Sequence, residues 1–211
     1  MSFYLNNSQV LSMDKTIVLS THNKGKLVEF EGLAERLGFK IITRDEAGIP
    51  HDFDVVEDGT TFEENSYKKA YEVMKMCGLP TMADDSGLMV DALDGQPGVY
   101  SSRFGGVEGD AVRNYTKLLK MMEGLKGDER KAHFTTVITL VYPDGETIVS
   151  KGECHGHITE EPKGELGFGY DPVFMAEGFD KTFAELGPEV KNGVSHRAKA
   201  LEELERILSE R

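Results

Sequence analysis

The chain has 211 residues, of which 39% are hydrophobic, 29% charged and 9% aromatic; this excludes collagen-like and wholly disordered chains and leaves enough length to bury a core without disulfide staples. Its 24 Lys and Arg against 37 Asp and Glu give a net charge of -13, which argues against nucleic acid as a partner. No apolar run reaches the roughly 18 to 20 residues that span a bilayer, so no membrane partner is expected, and Cys77 and Cys154 alone are too few for a disulfide framework and fit a reducing, cytoplasmic setting.

Residues 1–14 have neither the basic start nor the apolar block of a signal peptide, and their Asn6, Asn7, Ser8 and Gln9 read as a flexible N-terminal extension outside the fold. Residues 15–211 contain no repeat, low-complexity tract or dividing linker and read as a single domain. Within it, TIVLS at 16–20 predicts a buried strand. Leu27, Phe30, Leu33, Ala34 and Leu37 then recur at helical spacing, with Gly38 placed for a left-handed cap. A second strand is expected at 40–43, and a second helix at 62–77 with Phe62, Ala70, Val73, Met74 and Cys77 on one stripe and Thr60 or Thr61 as N-cap.

After a short strand at 81–83 comes a polar, glycine-punctuated stretch, 84–109, too long for a mere connector. Helical spacing returns at 112–122, and 133–142 with 146–158 predict an antiparallel pair turning over Pro143, Asp144 and Gly145. Residues 162–171 are glycine-rich and 174–186 irregular. The last helix begins at Ser195, buries Ala198, Leu201, Leu204 and Leu208, and pairs Glu202 with Arg206. This order of elements gives an α/β fold with a mixed β-sheet flanked by helices.

Four places carry candidate chemistry. Thr21 to Lys26, between a buried strand and a helix start, offers free N–H groups, a helix dipole and two lysines to an anion, or is simply a polar turn; it lacks the glycine spacing and the Lys-Ser/Thr pair of a P-loop. The adjacent carboxylates Asp84 and Asp85 repel unless a cation offsets them, and Mg²⁺ takes such oxygen ligands, with Glu57 and Asp58 at hand; the alternative is an ordinary turn. In Gly167-Phe168-Gly169-Tyr170-Asp171-Pro172 the glycines leave ring faces open to stack on a base, although a bulge with packed aromatics has the same composition. His196 and Arg197 in a first helical turn oppose the dipole, which points to an anion or carbonyl oxygen nearby, or to an exposed pair of small cost. Arg103 is either a movable phosphate contact or a surface residue, and Cys154, pointing opposite to His155 and His157 in a strand, does not complete a zinc set.

The order and wording of these segments closely resemble the inosine triphosphate pyrophosphatase family, also called dITP/XTP pyrophosphatases, from residue 16 to about 208. The resemblance rests on Thr21-x-Asn23-x-x-Lys26, Glu57-Asp58-Gly59 with Thr61-Phe62 and Glu64-Asn65, Ala83-Asp84-Asp85-Ser86-Gly87-Leu88, Pro97 to Arg103, Gly167 to Pro172 and Ser195-His196-Arg197. It implies an elongated sheet with two lobes around a central nucleotide-binding cleft, a homodimer, and Mg²⁺-dependent hydrolysis of ITP, dITP and XTP to the monophosphate and pyrophosphate. Thr21, Asn23 and Lys26 would then hold the triphosphate, and Glu57, Asp84 and Asp85 the metal, with Asp85 also the catalytic base. Ser86 would contact substrate, Phe168 and Gly169 would flank the purine, and Tyr170, Asp171, Lys191, His196 and Arg197 would complete the base and sugar pocket. The run 187–193 departs from the acidic segment usual before the family lysine, and residues 1–14 have no counterpart. A sensor binding nucleotide without turnover is the alternative outside enzymes, against which the carboxylates argue; a pyrophosphatase of pyrimidine or modified nucleotides is the alternative within them.

Overall fold

A computed structural model describes residues 15–21 and 24–210. Six strands form one mixed sheet in the order β2-β1-β3-β4-β5-β6. The strand β1 (Thr16–Leu19) lies parallel to both β2 (Lys40–Thr43) and β3 (Thr81–Val90). Being flanked on both sides, it is buried from Ile17 to Leu19, as its apolar run requires. Beyond β3 the sheet is antiparallel through β4 (Lys131–Val141), β5 (Thr147–Ile158) and the short β6 (Phe174–Ala176). The β4–β5 hairpin turns where expected: Gly145 N–H donates to Tyr142 O and Glu146 N–H to the Asp144 carboxylate.

Helix α1 (Lys24–Leu37) follows β1, and α2 (Phe62–Cys77) starts at Thr61, whose hydroxyl accepts from Glu64 N–H at 3.1 Å, and ends at the left-handed Gly78. Helix α3 (Ala111–Met121) is capped by the Asp110 carboxylate. Two elements differ from expectation. The strand predicted for 81–83 continues through Asp84 and Asp85 to Val90, paired with β4 at every residue; aspartate is depleted in strands, but here each carboxylate meets a cation on its own face of the sheet. The stretch 174–186, expected to be irregular, holds β6 and the start of α4 (Phe183–Val194), whose Thr182 and Glu185 make a reciprocal capping box. Gly187, at φ 79°, with Pro188 behind it, breaks α4 into two helical segments and hides it from periodicity.

The last helix, α5 (His196–Ser209), begins at Ser195 as predicted and buries Ala200, Leu201 and Leu204. Its Arg206 reaches Glu203 at 2.8 Å and Glu210 at 2.7 Å instead of the expected Glu202; these are surface pairs worth little. Apolar burial is split between the two ends of the long strands. Ile17, Leu19, Phe30, Leu140, Leu201 and Leu204 pack at one end, and Leu88, Leu118, Met122, Phe134, Phe174 and Phe183 at the other. Between them the strands bury polar side chains, Asp84, Thr136 and Ser150. Such groups are costly away from water unless satisfied, so this belt across the middle of the sheet marks where a site lies.

Candidate active site

Two adjoining hollows open over the belt. One, of about 740 Å³, is polar and is lined by Lys26, Glu57, Lys69, Asp85 and Arg103; the other, of about 350 Å³, is lined by Phe134, Phe168, Tyr170, His196 and Asn114. Ser86, Ser102, Phe168 and Arg197 border both, so they form one continuous cleft. An apolar hollow ringed by aromatics suits a flat base, and a cationic one suits phosphates.

The twin aspartates serve different halves of it. Successive side chains of a strand point to opposite faces. Asp84, only 3% exposed, faces Lys26, whose Nζ lies 2.8 Å away, and Arg197, whose Nε lies 3.7 Å away. Burial pushes the Asp84 carboxyl up, but Lys26 and Arg197 outweigh it and hold the group below the ordinary carboxylate value. Asp84 is thus the counter-ion for Lys26 of α1 and Arg197 at the start of α5. Asp85 looks the other way, toward α2. Its Oδ1 lies 3.2 Å from Lys69 Nζ and its Oδ2 accepts from Asn65 Nδ2 at 3.2 Å. Burial and the neighbouring Glu57 raise its carboxyl above the usual range, with Lys69 opposing them, and a carboxylate raised in this way is a better proton acceptor.

The expected metal trio is therefore not one cluster: among the described residues no three His, Cys, Asp or Glu side chains gather as ligands. Asp84 stands apart because it occupies the opposite face of β3. Glu57 and Asp85 do converge, since one ammonium, that of Lys69, lies 2.9 Å from Glu57 Oε2 and 3.2 Å from Asp85 Oδ1. Two carboxylates aimed at one cation beside a phosphate-sized hollow fit the demands of Mg²⁺, which takes one or two carboxylates with substrate oxygens and water. Cys154 is buried while His155 and His157 are exposed on the other face of β5, in keeping with the strand argument against zinc.

The remaining predicted residues fall around the cleft. Thr21 lies two residues past the end of β1, Lys26 is in the first turn of α1 and lines the polar hollow, and Asn23 lies outside the described residues. Phe168 is 62% exposed over both hollows, with Lys191 Nζ 4.0 Å from its ring centroid. The carboxylate of Asp171, which is itself buried, accepts from Phe168 N–H at 2.9 Å and binds Lys191 Nζ at 2.6 Å, so Asp171 shapes the Phe168 loop. A Cβ on Gly167, at φ +83°, would strike that same carboxylate. Despite the divergent run before it, Lys191 is therefore seated in the pocket. Tyr170 borders the ring-lined hollow, and its hydroxyl donates to Ser101 O at 2.9 Å in the interior, which commits that hydroxyl to the fold. His196 stacks on Phe134, centroids 4.7 Å apart and 13° from parallel. Burial, then Arg197 and Lys191, lowers its pKa well below the ordinary histidine value, so it is neutral, and its Nδ1 has no hydrogen-bond partner among the described residues.

Lys69 escaped the sequence reading, and Asn65, quoted there only within the Glu64-Asn65 motif, was given no role. Asn65 and Lys69 lie one turn apart on α2 and face the site. Asn65 Oδ1 accepts from Gly59 N–H at 2.8 Å, which fixes the amide so that its Nδ2 holds Asp85. A polar pair four apart beside the stripe Phe62, Ala70, Val73 was the available signal. Arg103, left open from sequence, reaches over Tyr100 to Glu57 O at 3.4 Å and lines the polar hollow.

Comparison with known proteins agrees with this geometry. The family model described as the Ham1 family matches residues 17–207. The dITP/XTP pyrophosphatase of Clostridium perfringens is 45% identical over 196 residues, covering 90% of this chain and 95% of that one, and the dITP/XTP pyrophosphatase of Bacillus subtilis is 42% identical over 194 residues, covering 92% and 97%. Among solved structures, the Staphylococcus aureus Ham1 protein superposes with a TM-score of 0.86 at 40% identity, covering 93% of this chain and 99% of that one.

Proposed function

The chain belongs to the Ham1 family, and from that premise we propose that its cleft hydrolyses non-standard purine nucleoside triphosphates, ITP, dITP and XTP, to the monophosphate and pyrophosphate, removing them from the nucleotide pool. The observation that carries the reading is the continuity of the ring-lined hollow with the cationic one across Ser86 and Arg197. A purine lies between Phe168 and His196, and the triphosphate runs toward Lys26 and Arg103. The neutral imidazole and the Arg197 guanidinium offer donors to the 6-oxo group of hypoxanthine or xanthine; the 6-amino group of adenine would face them donor to donor, an unpaired contact costing about 1 to 3 kcal/mol.

Asp85 is the catalytic base. Its carboxylate, held by Asn65, takes a proton from water whose oxygen attacks the α-phosphorus; the bond from that phosphorus to the oxygen bridging to the β-phosphorus breaks, and pyrophosphate leaves. Lys26 and Arg103 stabilise the charge on the departing group. Glu57 and Asp85 would hold Mg²⁺, which would supply charge neutralisation at the phosphate oxygens. The homodimer and the cytoplasmic setting are part of the same proposal. The resemblance to the family supports the homodimer, and the two free thiols fit a reducing setting; no helix among the described residues is long and apolar enough to cross a membrane.

The test is a substrate panel of ITP, dITP, XTP, GTP, ATP and dUTP with product analysis. One pyrophosphate per monophosphate, with ITP, dITP and XTP far ahead, is expected. Stepwise phosphate release, or ATP turned over as fast as ITP, would overturn the reading.

A further inference from the structure

Lys69 has no role in the mechanism above, yet it is the best-held lysine of the polar hollow. Its side chain is 14% exposed and its ammonium bridges Glu57 and Asp85. Resting on the functional reading just given, we propose that the Lys69 ammonium occupies, in the free enzyme, the position between Glu57 and Asp85 that the divalent cation takes in the substrate complex, so that the metal is admitted together with the nucleotide and not before it.

Three observations carry this. The first is distance: the two carboxylate oxygens that a metal would need are the two that Lys69 already holds, at 2.9 and 3.2 Å. Magnesium binds oxygen at about 2.0 to 2.1 Å, so an ion drawing on both oxygens would sit against the ammonium, and two cations at such separation repel strongly in a partly buried site. The second is rigidity. Asn65, itself fixed by Gly59 N–H, holds the other oxygen of Asp85, so that carboxylate cannot turn its second oxygen to a metal while keeping Lys69. The third is the exit. The Lys69 head borders the polar hollow, which the cations Lys26, Arg103 and Arg197 and the carboxylates Asp54 and Glu108 also line. An anion of phosphate type entering among these cations offers the ammonium a partner away from Glu57 and Asp85. Nucleotide phosphates provide that partner and, in the same event, extra oxygen ligands.

The experiment is a titration of the full chain with Mn²⁺ alone, followed by calorimetry and by the electron paramagnetic resonance of free Mn²⁺, for the wild type, Lys69→Met, Lys69→Gln and Lys69→Arg. The expected result is that the two neutral variants bind one Mn²⁺ about tenfold or more tightly than the wild type, that Lys69→Arg behaves as the wild type, and that adding Glu57→Gln to Lys69→Met abolishes the gain. The α,β-methylene analogue of ITP should in turn confer tight Mn²⁺ binding on the wild type. Wild-type affinity for Mn²⁺ equal to that of both neutral variants without nucleotide would overturn the proposal, even with pyrophosphate release intact; failure of the substrate panel would instead overturn the functional reading, whatever the titration shows.

Discussion

Asp84 and Asp85 are neighbours with opposite duties, and the alternation of a β-strand separates them. Asp84, buried between Lys26 and Arg197, is structural charge. Replacing it by Asn removes the carboxylate that both cations face, and breaking a buried pair typically costs about 3 to 5 kcal/mol; since Lys26 is partly exposed, the expected loss is about 2 to 3 kcal/mol in urea unfolding, together with a raised KM for ITP. Asp85→Asn should instead leave stability nearly unchanged and lower kcat by about a thousandfold, because the isosteric amide keeps the packing but accepts no proton. A kcat within a few-fold of wild type would remove Asp85 from the role of base. His196 gives a prediction in pH. Its folded-state pKa is depressed by burial and by Arg197, so between that value and the unfolded value near 6.5 the unfolded chain binds the extra proton. Stability is therefore full above about pH 6.5 and falls below it, by up to about 1.4 kcal/mol per pH unit. His196→Phe, which keeps the stack on Phe134, should flatten that slope relative to the wild type in chemical denaturation between pH 7.5 and 5.5. The roles legible from sequence were those written as unusual residue types in a row, such as Asp84-Asp85 and Ser195-His196-Arg197. Lys69 and Asn65 were not, since a lysine or asparagine in a helix is ordinary until the facing strand is known; nor was the inward turn of the Tyr170 hydroxyl, which depends on Ser101, far away in sequence.

The elements α2, β5 and α5 were readable because each buries one face at its own period, and β1 and β4 because an unbroken apolar or β-branched run marks a strand buried on both faces. Two elements broke the rule. β3 continues where its sequence turns polar, because pairing with β4 and a cation for each carboxylate offset a poor strand composition. In α4, Gly187 and Pro188 interrupt the period, while the capping box at Thr182 and Glu185 remains. Thr182→Ala should cost about 1 kcal/mol, since the buried hydroxyl serves both Glu185 and Lys163 O, and it should loosen Lys191 two turns on. The docking of α5 on β5 depends on Gly152, where a Cβ would collide with His196 O and Ala200 N, both backbone atoms of the helix. Gly152→Ala should therefore push the start of α5 off the sheet, at a cost of about 1 to 3 kcal/mol. Because His196 and Arg197 ride on that turn, KM for ITP should rise while the preference for ITP over ATP narrows; a destabilised variant with unchanged selectivity would show that the helix start is not what reads the base.

At the scale of the whole molecule, an anionic protein must accept an anionic substrate. The net charge of -13 acts at long range, whereas Lys26, Lys69, Arg103 and Arg197 act inside the cleft at contact distance. Salt separates the two. The screening length shrinks from about 30 Å at 0.01 M to about 8 Å at 0.15 M, which removes the repulsion from distant carboxylates, while partly buried contacts are screened much less. With Mg²⁺ held constant, kcat/KM for ITP should therefore rise a few-fold as KCl goes from about 0.01 to about 0.15 M, with kcat unchanged, because encounter and not chemistry is affected. A steep fall instead, of the kind shown by proteins that bind nucleic acid, would mean that the field of the cleft reaches past its rim and governs approach. Arg103→Ala distinguishes the levels once more. It removes a contact at the mouth of the polar hollow without altering the distant charges, so it should raise KM at every salt concentration and leave the rising salt profile in place.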